Sequence, residues 1–455
     1  MPVGRDLQHG QPQVERAVSE LVAGLDRYGV AVDPGALDAV VVTETPSCPV
    51  LGWAASGAMS LTGWPGEAPQ WPGGDVIGRL TGTARLLAGI ARGLGTDLPV
   101  DVGALLTERA AARGGTRRGD RSMGGRCGLL RTGDSWLALN LARDSDLELL
   151  PALTGGAVSG RSAPDVPAGL WAELGEYTRR RRGAELTAAA QLLGLPAAPL
   201  GPAPTTPRLP WSIRSLGDPA PATGRNPVVV DFSAMWAGPL CAHLLGRCGL
   251  QVVKVEDVRR PDGARRGDPW LFDRLHRHHD QVALDFGSPA DRRALRSLVA
   301  SADVVIESSR PRALAGLGFD PGEFLGARPG RTWVSITGYG RSGPRSNWVA
   351  FGDDAAVAGG LVGRSSARPP VFCADAIADP VTGLAAATGA LASLAHGGGH
   401  LVDCSMEASC AFAVGDSACA GDHRVEQCGS SWTAYHDGQH QVVAGPGRSS
   451  WEVPG

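Results

Sequence analysis

Beyond residue 227, apolar runs alternate with stretches of helical period. Val228-Val229-Val230-Asp231-Phe232 is a short, mostly apolar run, which predicts a buried strand. Leu240, Leu244, Leu245 and Cys248 then form one stripe at helical spacing, with Pro239 suited to the first turn and Gly249 to the helix exit. Val252, Val253 and Val255 give a second strand. A helix over 289–301 leads into the strand Asp303-Val304-Val305-Ile306-Glu307, and Trp333-Val334-Ser335-Ile336-Thr337 is another strand. A helix over 384–394 precedes the strand Leu401-Val402-Asp403-Cys404. Strands alternating with helices predict an α/β fold, a doubly wound, mostly parallel Rossmann-like sheet whose ligands bind beyond the carboxyl ends of the strands. The turn after the first strand, Ser233-Ala234-Met235-Trp236-Ala237-Gly238-Pro239, is not the GxGxxG loop of dinucleotide enzymes.

The first half is less periodic. The pattern predicts one or two helices over 13–40, a helix over 81–95, and one or two helices over 170–194. Leu129-Leu130-Arg131 and Trp136-Leu137-Ala138-Leu139-Asn140 flank Thr132-Gly133-Asp134 and read as a hairpin. Together these predict a second, smaller α+β domain. Arg179 to Arg182 reads as a solvated helix face. Seven prolines in the 27 residues from Gly201 to Pro227 predict an extended linker. A faint repeat also runs through the chain. Trp53 to Gly63 echoes Ala355 to Gly363, and Thr81-Gly82 echoes Thr382-Gly383. Aligning the Thr-Gly pairs sets Asp379 opposite Gly78, so only the second copy carries the acid.

Composition narrows the classes. The 455 residues exceed one ordinary domain, and 43% hydrophobic with 20% charged residues describes a globular chain. A net charge of −3 gives no general attraction to nucleic acid or membrane surfaces. Nine cysteines without a CxxC read as free, mostly buried thiols of a reducing compartment. With no basic-then-apolar leader and no run of eighteen apolar residues, the expected location is the cytoplasm. Lys254 is the single lysine.

Asp379, in Ala378-Asp379-Pro380-Val381-Thr382-Gly383, is the residue on which function turns. An Asp-Pro pair ahead of a helix is a good cap. A carboxylate at a helix N-terminus is also a nucleophile beside donors that stabilise an oxyanion. The two roles are compatible. His276, His278, His279 and Asp280 lack a recognised ligand spacing and read as a surface loop, so no metal is expected.

The ordered series Asp231-Phe232-Ser233…Ala237-Gly238-Pro239, Val253-Lys254-Val255-Glu256, Val282-Ala283-Leu284-Asp285, Ala302 to Glu307, Arg310-Pro311, Gly338-Tyr339-Gly340…Ser342-Gly343-Pro344 and Ala378-Asp379…Thr382-Gly383 resembles the family III CoA-transferases. That family includes formyl-CoA and carnitine CoA-transferases and α-methylacyl-CoA racemases. Ser122-Met123-Gly124-Gly125 and Asp134 to Ala138 resemble the glycine loop and a strand of its small domain. The small-domain part precedes the nucleotide-fold part, as if two partial copies were joined tail to head. The resemblance implies a small-domain-like copy over 1–200, a linker over 201–227, a CoA-binding domain over 228–420 and a tail over 421–455.

The resemblance further implies transfer of CoA from an acyl-CoA to a carboxylic acid, with Asp379 as nucleophile and coenzyme A as substrate, not a tightly bound cofactor. Trp236, Ala237, Leu284, Arg310, Gly352 and Asp353 match CoA-contacting positions, and Gly124 and Gly125 match a flap over the intermediate. Each has a plainer reading: a packed aromatic for Trp236, core for Leu284, a solvent-exposed loop for Arg310 and a simple turn for the glycines. Departures are visible too. His276-Arg277-His278-His279-Asp280-Gln281 replaces the family's basic segment, and Gly352-Asp353-Asp354 replaces the racemases' Gly-His-Asp. The alternatives are a racemase or epimerase, which needs two acid/base groups, and a non-catalytic CoA-binding subunit. Homodimer and pseudo-dimeric monomer are both open.

Overall fold

The computed structural model describes residues 12–33, 46–160, 166–202, 208–221, 226–310, 312–365, 368–416 and 421–447. Its centre is a seven-stranded sheet in the order β4-β12-β9-β8-β5-β6-β7. These strands are β4 (Trp211–Ser215), β5 (Val228–Asp231), β6 (Gln251–Asp257), β7 (Asp280–Leu284), β8 (Val304–Glu307), β9 (Thr332–Thr337) and β12 (His400–Ser405). All neighbours pair parallel except β4, which runs antiparallel along β12. The central strands are valine- and isoleucine-rich because both faces are covered. Val229, Val304, Ile306 and Val334 join one apolar cluster, whereas Val230, Val305 and Trp333 join another. From β5 the chain goes outward first through β6 and β7, then returns to build β8, β9 and β12. That reversal opens a crevice between β5 and β8 at their carboxyl ends.

The helix Ala378–Ala395 is the hub of the first cluster. Its many small residues let other elements approach closely. Gly383 is the tightest point: a β-carbon there would lie 2.8 Å from Ala237 O and 2.9 Å from Leu240 Cβ. So the helix Ala237–Arg247 lies directly against it. The N-terminal helix Val76–Gly93 packs on it as well. Both repeat-related helices are 18 residues long. The helix Val76–Gly93 has glycine, Gly78, at the place opposite Asp379, and it is capped from three residues earlier by Asp75, whose Oδ1 accepts from Gly78 N–H at 3.0 Å.

Residues 127–199 form a smaller α+β unit. Strands β1 (Cys127–Arg131), β2 (Trp136–Asn140) and β3 (Ala197–Pro199) make an antiparallel sheet, packed on helices Ala168–Thr178 and Gly183–Leu192. Arg179 to Arg182 are exposed between those helices.

Three expectations are corrected. The segment 201–227 is more than a linker: Trp211 and Ile213 are buried on β4, because an edge strand tolerates the prolines around it. The tail contains a three-stranded antiparallel sheet, β13 (His423–Cys428), β14 (Ser431–His436) and β15 (Gln439–Val442). His276 is not on a surface loop. It is 1% exposed at the end of helix Pro269–His276, with Nδ1 3.1 Å from His279 Nδ1, and burial pushes its pKa down to about 2. Of the helices expected over 13–40, Pro12–Arg27 is present, and 34–40 lies outside the described residues.

Candidate active site

A cavity of about 1090 Å³ occupies the crevice. Its walls come from the carboxyl ends of the parallel strands: Phe232 to Met235 after β5, Asp257 and Arg259 to Gly263 at the end of β6 and beyond, Ser308 to Arg310 after β8 and Gly338 after β9. Ala142 and Arg143 of the smaller unit close one side. Asp379 lies on the wall.

Asp379 is the second residue of its helix; Ile377 holds the cap position without a side-chain bond. The capping role that the Asp-Pro pair suggested is therefore not the one it performs. The preceding turn places Ala374 and Ala376 at positive φ, 49° and 43°, and this turn lets the helix begin one residue before the aspartate. Its carboxylate accepts from the backbone N–H of Ala237, the first residue of the other helix. Two helix N-termini thus converge on one carboxylate, which favours its anion. Burial outweighs this and lifts Asp379 to about 7, with Arg109 pulling down and Asp353 pushing up.

Neighbouring acids share that environment. Asp353 Oδ1 accepts from Ala376 N–H at 3.2 Å, and burial followed by the Asp375 charge pushes it to about 7. Asp354, buried and bonded by Asn140 of β2 at 2.9 Å, is likewise lifted to about 7 by burial first. The counter-charge comes from Arg109, on helix Val102–Arg113 of the N-terminal half. It donates to Asp268 at 2.7 Å and to both oxygens of Asp375 at 2.7 Å, with its guanidinium 5.3 Å above the Trp236 ring.

The cavity floor holds the single lysine. Lys254 is fully buried, donates to Ser233 O, and lies 3.3 Å from Asp262 and 3.8 Å from Asp231. Asp262 in turn accepts from Met235 N–H at 3.0 Å, in a turn where Met235 has φ 72°. That conformation costs a non-glycine residue of order 1 kcal/mol or more and persists only where contacts hold it. Lys254 therefore shapes the β5 turn from below. The cavity rim is basic instead through Arg143, Arg259, Arg260, Arg310 and Arg312. Burial and the charges of Arg312, Arg143 and Arg260 push the Arg310 pKa down. Mutually repelling guanidinium groups of this kind are relieved by an anion.

The expected site residues divide. Ala237, Arg310 and Asp379 line the cavity. Trp236 is 3% exposed beneath Arg109 and Leu284 is half-buried on β7; neither is on the wall. Gly352 sits behind Asp379, where a β-carbon would lie 2.2 Å from Asp379 Oδ2, so only glycine leaves the carboxylate its place. Gly124 and Gly125 close a turn, Gly125 N–H donating to Ser122 O at 2.8 Å. The turn is tied to the acids because the Ser122 side chain hydrogen-bonds the Asp353 carboxylate. Arg109 and Arg143 were missed. Both lie in the weakly patterned half, and no local signal links either to residues more than 150 positions away.

Residues 226–436 match CoA-transferase family III. The matched segment contains the strands around the crevice and Asp379. Relatives include the succinyl-CoA–D-citramalate CoA-transferase of Chloroflexus aurantiacus, 29% identical over 38% of this chain and 47% of the relative. Another is the formyl-CoA:oxalate CoA-transferase of Escherichia coli, 28% identical over 39% of this chain and 46% of the relative. The chain spans about half the length of the curated relatives it matches. A CAIB/BAIF family protein from Brucella suis aligns with a TM-score of 0.42 at 23% identity, covering 49% of this chain and 67% of that one. No helix among the described residues is long and apolar enough to cross a membrane.

Proposed function

We propose that this chain transfers CoA from an acyl-CoA thioester to a carboxylic acid, with Asp379 as covalent acceptor. The observation that carries this reading is a nucleophilic carboxylate on the wall of an arginine-rimmed cavity, beside a helix N–H. The Asp379 oxygen attacks the thioester carbonyl, the C–S bond breaks, and an acyl-aspartyl anhydride and CoA thiolate result. The thiolate attacks the aspartyl carbonyl and releases the donor carboxylate. An acceptor carboxylate then displaces the thiolate from the aspartyl thioester, and the returning thiolate takes the acceptor's acyl group and frees Asp379. Ala237 N–H is placed to stabilise negative charge on the aspartyl oxygen in each step. The arginines are placed to hold the phosphates of CoA, replacing the basic segment lost around His276 to Gln281. The glycine turn, tied through Ser122 to Asp353, would cover the intermediate. The reading includes a cytoplasmic setting, in keeping with the free thiols among the described residues.

The direct test is intact mass after incubation with a panel of acyl-CoAs. A CoA-sized adduct is expected. Its absence across donors, with CoA still bound, would move the reading to a non-catalytic CoA-binding chain.

Two quantitative expectations accompany this. Arg310→Ala should weaken acyl-CoA binding about tenfold, the scale of one charge-assisted hydrogen bond, and flatten the salt dependence. Calorimetric titration at two ionic strengths reads both, and an unchanged affinity would remove Arg310 from the phosphate site. The second concerns pH. Asp379 must be ionised to attack, so adduct formation should rise through about pH 7. Stability should move the opposite way. The folded chain keeps protons on Asp379, Asp353 and Asp354 to about pH 7, whereas the unfolded groups release theirs near 3.8. Their contribution is fully present below 3.8 and is lost as pH rises through about 7. Asp353→Asn, by removing a like charge, should shift the rate midpoint downward; a midpoint that stays fixed contradicts the coupling.

A further inference from the structure

A second group of reactive side chains lies away from the cavity, where the N-terminal helical layer meets the β13–β15 sheet. The two-residue connection Gly429-Ser430 joins β13 to β14 and sets the register in which His423 opposes His436. Residues directly opposite in an antiparallel pair project to one face. The two imidazoles accordingly stack, with centroids 4.3 Å apart and planes within 4°. Cys48, 4% exposed and immediately before the helix Pro49–Ala55, faces them with Sγ 3.4 Å from His423 Nε2. One donor atom from each of the three side chains lies within 4.8 Å of the others.

The Cys48–His423 distance suits a metal, and one of the two stacked rings has to turn out of the stack for both lone pairs to reach the same ion. Zinc binds thiolate sulfur at about 2.3 Å and imidazole nitrogen at about 2.0–2.1 Å, so two such ligands at a tetrahedral angle stand about 3.5 Å apart. The Cys48–His423 pair already has that spacing. His436 is arranged as a ligand as well. Its Nε2 faces the Asp437 carboxylate at 3.5 Å, and its Nδ1 is buried with no hydrogen-bond partner among the described residues. A carboxylate that holds the proton on one ring nitrogen leaves the other with a lone pair, the usual outer arrangement of a metal-bound histidine. A thiolate with two imidazoles is a borderline-soft donor set that suits zinc better than magnesium or calcium.

We propose that Cys48, His423 and His436 form a zinc site that ties the helical layer to the C-terminal sheet, leaving a fourth position for water or an added donor. Cys48 and His423 are 375 residues apart in the chain, so the bound ion closes a very long loop. The two layers meet beside it, since Ala444 N–H donates to Ala54 O at 2.9 Å. Nothing in this arrangement depends on the CoA reading, and its test leaves Asp379 untouched.

The full chain, stripped with chelator under reducing conditions, would be titrated with Zn2+ against a chromophoric chelator and with Co2+ for thiolate-to-metal absorption. One tight equivalent, a thiolate band and a raised thermal midpoint are expected. Cys48→Ser should abolish the band and weaken Zn2+ at least about tenfold, while Cys428→Ser, at an exposed thiol, changes neither. His436→Gln should weaken Zn2+ similarly with the thiolate band retained, and it serves as the second variant if Cys48→Ser does not fold. Lack of stoichiometric Zn2+ binding by the folded wild-type chain, or unaltered binding in both variants, overturns the proposal.

Discussion

Asp379→Asn is expected to lose CoA-adduct formation and at least roughly three powers of ten in transfer rate, while folding as well as the wild type. The amide oxygen can still accept from Ala237 N–H, so the two helix N-termini keep their partner. An amide is not a nucleophile, so the covalent steps cannot begin. Stability should not suffer, because Asp379 does not cap its helix. Above pH 7 the variant should be equal or more stable, since the wild type there holds an ionised carboxylate that burial has lifted to about 7. Intact mass and urea midpoints at pH 8 read both outcomes. A variant that keeps the adduct would place the acceptor elsewhere.

Arg109→Met should produce the largest structural effect. Arg109 is the counter-charge for Asp375 and Asp268, whose side chains are 6% and 9% exposed. Removing one member of a buried ion pair costs about 3–5 kcal/mol because the partner stays charged and desolvated. Arg113 still reaches Asp268 at 3.4 Å, so Asp375 is the group left stranded. Asp379 also loses the Arg109 charge that lowers its pKa, so the midpoint of adduct formation should move above 7. Arg109→Lys should recover part of both effects, since an ammonium supplies the charge without the two-armed geometry. An unfolding midpoint within error of wild type would show that the Arg109 contacts do not bear on stability.

The strands of the large sheet were legible because strands buried on both faces are mostly apolar. Val228 to Phe232 and Asp303 to Glu307 each appear within one residue of the expected place. The helix over 289–301 is observed over the same span, since Ser288 supplies its cap and proline its first residue. The helix at Asp379 was misread at its start. Pro380 suggested a boundary, but the turn through Ala374 and Ala376 lets the helix begin at Ala378. The His276 segment was read as a surface loop because its spacing matches no ligand pattern, yet three imidazoles sit near one another there and burial keeps them neutral.

The sequence by itself determined the alternation of strand and helix, the small-residue helix, the position of Asp379 and the absence of a dinucleotide loop. Each follows from local spacing or from the residue types themselves. Only the tertiary structure decided which groups surround the aspartate. Arg109 stands 270 residues before it and Arg143 reaches the rim from the smaller unit, and neither approach is written in any local pattern. The lift of Asp379 to about 7 belongs to that assembly as well. It depends on how much water the packed helices exclude and on where the Asp353 and Arg109 charges come to rest.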